Sequence, residues 1–224
     1  MATEHGGSAA GSRGGALTDP TADRRPRTAT LRSSPRRSVD GNPDLDRIPE
    51  SSLQRVVNGF NLMPGSLRDQ IGDDDTLLVF LRYFGCIFCR EMVADIRAAA
   101  EADPAYPKVL FFYQGTPTEG RAFLRRYWPD ARAISDPELA FYEDFGVEQG
   151  SFLQVLGPRA LLSTRRARAK GHDFGERSGD PWRLPGLFVV RGENILWSHR
   201  FGHQADHPDF GAIPRLMRAA AGAA

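Results

Sequence analysis

Lysine is nearly missing from this chain: Lys108 and Lys170 are two of 29 basic residues, and the other 27 are arginine. That bias reads as coding history, the mark of a GC-rich genome, before it reads as function. Against 28 acidic residues the net charge is only +1, so the chain as a whole is no polyanion binder. Long apolar runs are missing too, and nothing approaches the ~18 consecutive apolar residues of a membrane-spanning helix. The first residues lack the apolar core of a signal peptide. Glu4, Asp19 and Asp23 interrupt the basic character a transit peptide needs. A cytoplasmic protein, with neither nucleic acid nor membrane as partner, is the expectation. Cysteine is as scarce as lysine: there are two, Cys86 and Cys89. A single close pair excludes a framework of structural disulfides and points to redox or metal chemistry.

Residues 1–45 hold Gly, Ser, Ala, Thr, Pro and Arg with few large apolar groups. Such a segment cannot bury enough surface to offset its ordering entropy, so a disordered N-terminal tail is expected. Its arginines (Arg24, Arg25, Arg27, Arg32, Arg36, Arg37) could touch nucleic acid or a membrane surface; a solvated tail is the plainer reading. Residues 50–222 read as one globular domain. Residues 76–82 (TLLVFLR) and 108–113 (KVLFFY) are short continuous apolar runs, the pattern of strands buried on both faces. Between them Cys89, Val93, Ile96 and Ala100 mark one face of a helix over 87–102. A helix over 116–128, capped by Thr116 or Thr118, a strand over 131–135 and a helix over 137–145 follow. Strands over 186–190 and 194–200 meet at Arg191-Gly192-Glu193, a hairpin-like turn. Residues 208–220 close the chain as a helix. Strand–helix alternation implies a parallel sheet with helices on both faces, and the late hairpin adds an antiparallel edge. The fold class expected is therefore α/β: a central mixed sheet flanked by helices in the thioredoxin-like layout, interrupted before its last two strands by a helical and loop insertion over 147–183.

The cysteines fall where such a sheet does its chemistry, outside the carboxyl ends of the strands. Cys86 lies four residues beyond Arg82 and opens a helix, facing unpaired N–H groups and the positive end of the helix dipole. Both favour thiolate, the nucleophilic form. Cys89 is one turn on, within reach of a disulfide, and starts the apolar stripe. The pattern casts Cys86 as an exposed attacking thiol and Cys89 as its shielded resolving partner. Arg82 could lower the Cys86 pKa and bind an oxyanion, or be an exposed strand-end charge. Glu91 suits the helix dipole better than proton shuttling. His199, His203 and His207 recur every four residues and could join the cysteines at zinc. They fall, however, in a strand and the loop beyond it, not on one helical face. They could also act as bases, although surface histidines are commoner. Arg165-Arg166-Ala167-Arg168-Ala169-Lys170 would suit an anionic partner or simply be a solvated helix face.

The stretch Phe80-Leu81-Arg82-Tyr83-Phe84-Gly85-Cys86-Ile87-Phe88-Cys89-Arg90-Glu91 resembles the signature of the peroxiredoxin-like 2 family, in the alkyl hydroperoxide reductase/thiol-specific antioxidant group that includes the prostamide/prostaglandin F synthases. Ile134-Ser135-Asp136-Pro137, Phe141-Tyr142, Phe145-Gly146, Pro185-Gly186-Leu187-Phe188-Val189-Val190, His199-Arg200 and Asp206-His207-Pro208 extend the resemblance over about residues 66–215. It implies a thioredoxin-like fold and a redox-active Cys86–Cys89 pair. It further implies antioxidant or thiol-dependent reductase activity on a peroxide or disulfide substrate, electrons from thioredoxin or a similar thiol donor, and no metal or organic cofactor. It also singles out Pro185, where thioredoxin-like proteins place a cis-proline facing the cysteines; an ordinary strand-entry proline is the alternative. One departure matters. Peroxiredoxins usually carry a proline and a Ser/Thr hydroxyl ahead of the attacking cysteine, where Val79 and Tyr83 stand here. The weight moves toward disulfide exchange or slower reduction of larger substrates. A redox sensor using the same disulfide as a switch, and a metal-binding C-x-x-C, remain the other readings.

Overall fold

The structure, a computed structural model, describes residues 45–222. The tail expected over 1–45 lies, but for Leu45, outside the described residues. The chain runs α1 (Glu50–Leu53), β1 (Gly59–Phe60), α2 (Leu67–Ile71), β2 (Asp75–Phe80), α3 (Ile87–Ala102), β3 (Lys108–Tyr113), α4 (Pro117–Tyr127), β4 (Arg132–Ser135), α5 (Ala140–Asp144), α6 (Phe152–Leu156), α7 (Pro158–Ala169), β5 (Gly186–Arg191), β6 (Asn194–His199), a short 3-10 turn (Phe210–Ala212) and α8 (Ile213–Gly222). The strands form one sheet in the order β1-β4-β3-β2-β5-β6. β2, β3 and β4 are parallel, while β1, β5 and β6 join antiparallel to their neighbours. The expected mixed sheet with an antiparallel hairpin at its edge is therefore present.

Alternation along β2 explains why its sequence is apolar throughout. Leu77, Val79 and Leu81 point to one face, where Ile87, Met92, Val93 and Ile96 of α3 and Ile213 of α8 cover them. Leu78 and Phe80 point to the other, against Leu53, Leu67 and Ile71 and against Phe141, Tyr142 and Phe145 around α5. Phe80 stacks on Phe112 with ring centroids 4.4 Å apart and meets Tyr142 and Phe188 edge-on. Truncating such a ring to alanine costs about 3–5 kcal/mol.

Local chemistry sets the helix starts. At α4, Thr116 Oγ1 accepts the Glu119 N–H while Glu119 accepts the Thr116 N–H at 2.7 Å, a capping box followed by Pro117 at the first helical position. The helix expected over 137–145 is shorter, beginning at Ala140. Asp136 still caps it, accepting the N–H groups of Ala140 and Phe141 at 3.0 and 2.8 Å, but the chain first turns through Leu139 in a left-handed conformation (φ 61°). The closing helix likewise starts late, at Ile213, because the 3-10 turn capped by Asp209 precedes it. α1, α2 and the two-residue β1 are additions to the expected elements.

Candidate redox site

β2 ends at Phe80, and Leu81 still donates to the Phe112 carbonyl at 2.9 Å. The chain then leaves the sheet, and Cys86 becomes the N-cap residue of α3, held by its N–H on the Tyr83 carbonyl at 3.0 Å. This is a βα turn at the carboxyl end of a central strand, with helical N–H groups directed at the sulfur. Both cysteines are free thiols. One of the residues singled out in the sequence reaches both: the Arg82 guanidinium lies 3.3 Å from Cys86 Sγ, and the Arg82 backbone N–H lies 3.3 Å from Cys89 Sγ.

Electrostatics separate the two sulfurs. Burial acts to raise the Cys86 pKa, but the Cys89 thiol, the Arg82 guanidinium and the backbone N–H groups of Cys89 and Phe88 outweigh it and pull it down to about 6. Cys89 moves well up, first through burial and then because its proton is held by Cys86 and a second charge would sit beside the first. The site therefore favours one thiolate, on Cys86, with Cys89 donating to it.

Cys86 is not the exposed thiol its position suggested. It is 1% exposed, as is Cys89, and Arg82 is equally buried. The cover comes from residues 171–185, a strap between α7 and β5 that falls mostly in the insertion expected over 147–183. Arg82 is the rivet: it donates through Nε to the Arg183 carbonyl at 2.7 Å and through the guanidinium to the Pro181 carbonyl and the Gln204 side chain. Gly175 donates to the Gly85 carbonyl at 2.9 Å, and Arg90 ties the Phe84 and Asp173 carbonyls together. Gly85 is required here, since a Cβ on it would run into the Glu176 carbonyl. Beneath the strap a cavity of about 340 Å³ reaches Arg82, lined by Tyr83, Leu156, Leu161, Phe174, Trp182 and Gln204 among others. The Arg82 guanidinium lies 5.4 Å from the Tyr83 ring centre, and Tyr83 is kept protonated by burial and by the charge of Cys86.

The other candidates have different surroundings. Pro185 enters β5 at this end of the sheet, just before Gly186 pairs with Phe80, and lines a second cavity of about 290 Å³, with His199 and Arg200. The histidines do not join the cysteines. His199 is paired with the Asp206 carbonyl at 2.7 Å, and His203 accepts the Ala205 N–H. His207 is buried 3.8 Å from Glu91, and that burial pushes its pKa down to about 3. Among the described residues, Glu91, Asp95 and His207 could offer ligand atoms within 4.8 Å of one another to a metal. Lys170 already lies between the carboxylates, 2.6 Å from Asp95 and 3.1 Å from Glu91. Arg166 holds Glu91 with two bonds of 2.8 and 2.9 Å. Glu91 thus anchors α7 to α3, and half of the basic stretch is spent on that anchor. Gln204, which orients Arg82 and itself donates to the Val155 carbonyl, has no signal in the sequence pattern.

Residues 97–203 match the family model of the AhpC/TSA antioxidant enzymes, a span that begins after the cysteine pair. The prostamide/prostaglandin F synthase of Xenopus laevis is 25% identical over 162 residues, 70% of this chain and 79% of its own length. That of Danio rerio is 25% identical over 181 residues, 78% of this chain and 88% of its own. The structure of Xanthomonas campestris peroxiredoxin Q is similar over 77% of this chain and 94% of that one, at 16% identity and a TM-score of 0.55, a likeness of fold.

Proposed function

We propose that this chain, peroxiredoxin-like and of the thioredoxin-like superfamily, is a thiol-dependent oxidoreductase working through Cys86 and Cys89. The observation that carries the reading is the Arg82 guanidinium 3.3 Å from the Cys86 sulfur, both groups buried, with the Cys89 sulfur bonded beside them.

With a peroxide, the Cys86 thiolate attacks one oxygen and the O–O bond breaks. Cys86 becomes a sulfenic acid, and the departing alkoxide takes a proton to leave as an alcohol. Cys89 then attacks the sulfenic sulfur, water leaves, and the Cys86–Cys89 disulfide closes. With a disulfide, Cys86 forms a mixed disulfide and expels one thiolate; Cys89 displaces the second. In either case two thiols of an external donor, thioredoxin or a similar protein, return both sulfurs to the reduced state. Arg82 holds the nucleophile as thiolate and stabilises negative charge developing on the leaving oxygen or sulfur. Tyr83, protonated and lining the cavity, can donate to an oxygen there. The apolar lining suits a bulky substrate better than hydrogen peroxide.

Peroxide or disulfide consumption coupled to thioredoxin and its reductase should disappear in Cys86→Ser, while Cys89→Ser should accumulate a sulfenate or mixed disulfide. Undiminished turnover in Cys86→Ser would refute the assignment. The burial of Cys86 under the strap favours one other reading: a sensor that is oxidised once and recycled slowly. Stoichiometric oxidation without turnover would select it.

A further inference from the structure

One surface is left over from the redox reading. From Gln149 to His172 the chain has no acidic residue, while Arg159, Arg165, Arg166, Arg168 and Lys170 supply five cations. Within this stretch α7 is packed in reverse. It buries its small residues, Ala160 and Ala167 at 2% and 0% exposed, and displays its large ones, Leu161 and Leu162 at 65% and 64%. At ~100° per residue, Leu162, Arg165 and Ala169 cluster around the pole opposite the two buried alanines, with Leu161 and Arg168 along one flank. α6 continues the surface with Phe152, Leu153 and Leu156, and the strap adds Phe174 and Trp182. Leu156, Leu161, Phe174 and Trp182 line one cavity, so these segments form a continuous face. Elsewhere among the described residues only Val56 and Met63 are large apolar side chains exposed to this degree.

We propose that the outer face of α6, α7 and the strap docks on an anionic lipid bilayer. Exposed Phe, Leu and Trp beside a rim of arginines, with no carboxylate on α6 or α7 and only Asp173 and Glu176 exposed on the strap, is the composition of an interfacial helix pair: apolar side chains enter the acyl boundary and guanidiniums meet the phosphates. Arg166 and Lys170 turn inward to Glu91 and Asp95, leaving Arg159, Arg165 and Arg168 exposed on the rim. A nucleic acid would make no use of the leucines. A second copy seated on the same face would bring Arg165 near its own mate, on helices that carry no carboxylate. Docked in this way, the face would open the cavity above Arg82 toward the lipid. Such docking would overturn the expectation of no membrane partner; no helix among the described residues is long and apolar enough to cross a membrane.

The test is co-sedimentation of the full chain with vesicles of phosphatidylcholine alone and of phosphatidylcholine with phosphatidylserine. The native chain should sediment with the anionic vesicles and be released as salt is raised. Leu153→Ser/Leu162→Ser and Arg165→Glu/Arg168→Glu, both surface changes that leave the circular dichroism spectrum intact, should each bind roughly tenfold or more weakly. Cys86→Ser should bind like the native chain, which keeps this result separate from the redox assignment. Three outcomes would overturn the proposal. They are no binding to anionic vesicles, binding that survives intact in the leucine variant (and so belongs to the arginines of residues 1–45), and a dimer in solution abolished by the leucine changes.

Discussion

Replacing Arg82 with methionine removes the charge that sits 3.3 Å from the Cys86 sulfur while keeping an apolar side chain of comparable length. At an effective dielectric of about 20 that charge pair is worth about 5 kcal/mol. The difference between the ordinary thiol value of 9.0 and about 6 corresponds to about 4 kcal/mol, so Arg82 is large enough to decide which side of neutrality Cys86 titrates on. Without it, burial opposes only the Cys89 thiol and two backbone N–H groups, and the midpoint should rise from about 6 toward the ordinary range. At pH 7 the thiolate fraction would fall from about nine-tenths to about one in a hundred, and reaction with an oxidant would slow accordingly. Thiolate absorbance near 240 nm, followed against pH in Cys89→Ser and Cys89→Ser/Arg82→Met, reads this without requiring a reagent to pass the strap. Arg82→Lys should restore part of the shift. The same linkage has a sign in stability. Because the folded Cys86 pKa is depressed, its contribution is fully present above the unfolded value of 9.0 and is lost as pH falls through about 6. Arg82→Met should flatten that dependence. A midpoint unmoved by the substitution would refute the electrostatic argument, and with it the role given to Arg82.

Glu91→Gln leaves Arg166 without its carboxylate and Lys170 with Asp95 alone, and should cost about 1–3 kcal/mol, read as a lowered Tm. Burial opposes the charge on Glu91, but its cations win and hold its pKa below the usual carboxylate value of 4.5. Its contribution is thus complete at neutral pH and lost as acid protonates it, an acid-dependent loss that Glu91→Gln should lack. Gly85→Ala drives a Cβ into the Glu176 carbonyl and should displace the strap, seen as faster alkylation of Cys86 and easier proteolysis over residues 171–185. Tyr142→Phe removes the hydroxyl that donates to the Leu81 carbonyl and, at 3.0 Å, to Phe112; denaturant unfolding should show a loss of about 1–2 kcal/mol.

What could be read from sequence was what repeats along it. The apolar runs of β2 and β3 and the i, i+4, i+7 stripe of α3 put these elements at or within a residue or two of their observed bounds. β1 has two residues and no period to detect. α2 did have a signal, Ser66 three residues before Asp69, which close a capping box. The chemistry divides in the same way. Cys86 and Cys89 are one helical turn apart, so local geometry was enough to bring them together, while Arg82, four residues upstream, could be read equally as their neighbour or as an exposed strand-end charge. The cover over Cys86 was not legible, because it depends on Arg82 meeting carbonyls about a hundred residues later and on Gln204, 122 residues away. The Glu91–Arg166 anchor spans 75 residues. Nor does the sequence reveal that Cys86, first in the helix, ends up as buried as Cys89.

The question beneath all of this is whether the two sulfurs act as one redox pair. One equivalent of an organic hydroperoxide or a small disulfide, added to the reduced chain, followed by alkylation and peptide mass analysis, answers it. Two thiols should be lost together, the mass should fall by the two hydrogens of a Cys86–Cys89 bond, and thioredoxin should return both. Cysteines that stay alkylatable, or a Cys86 that oxidises with Cys89 still a free thiol, would contradict the assignment.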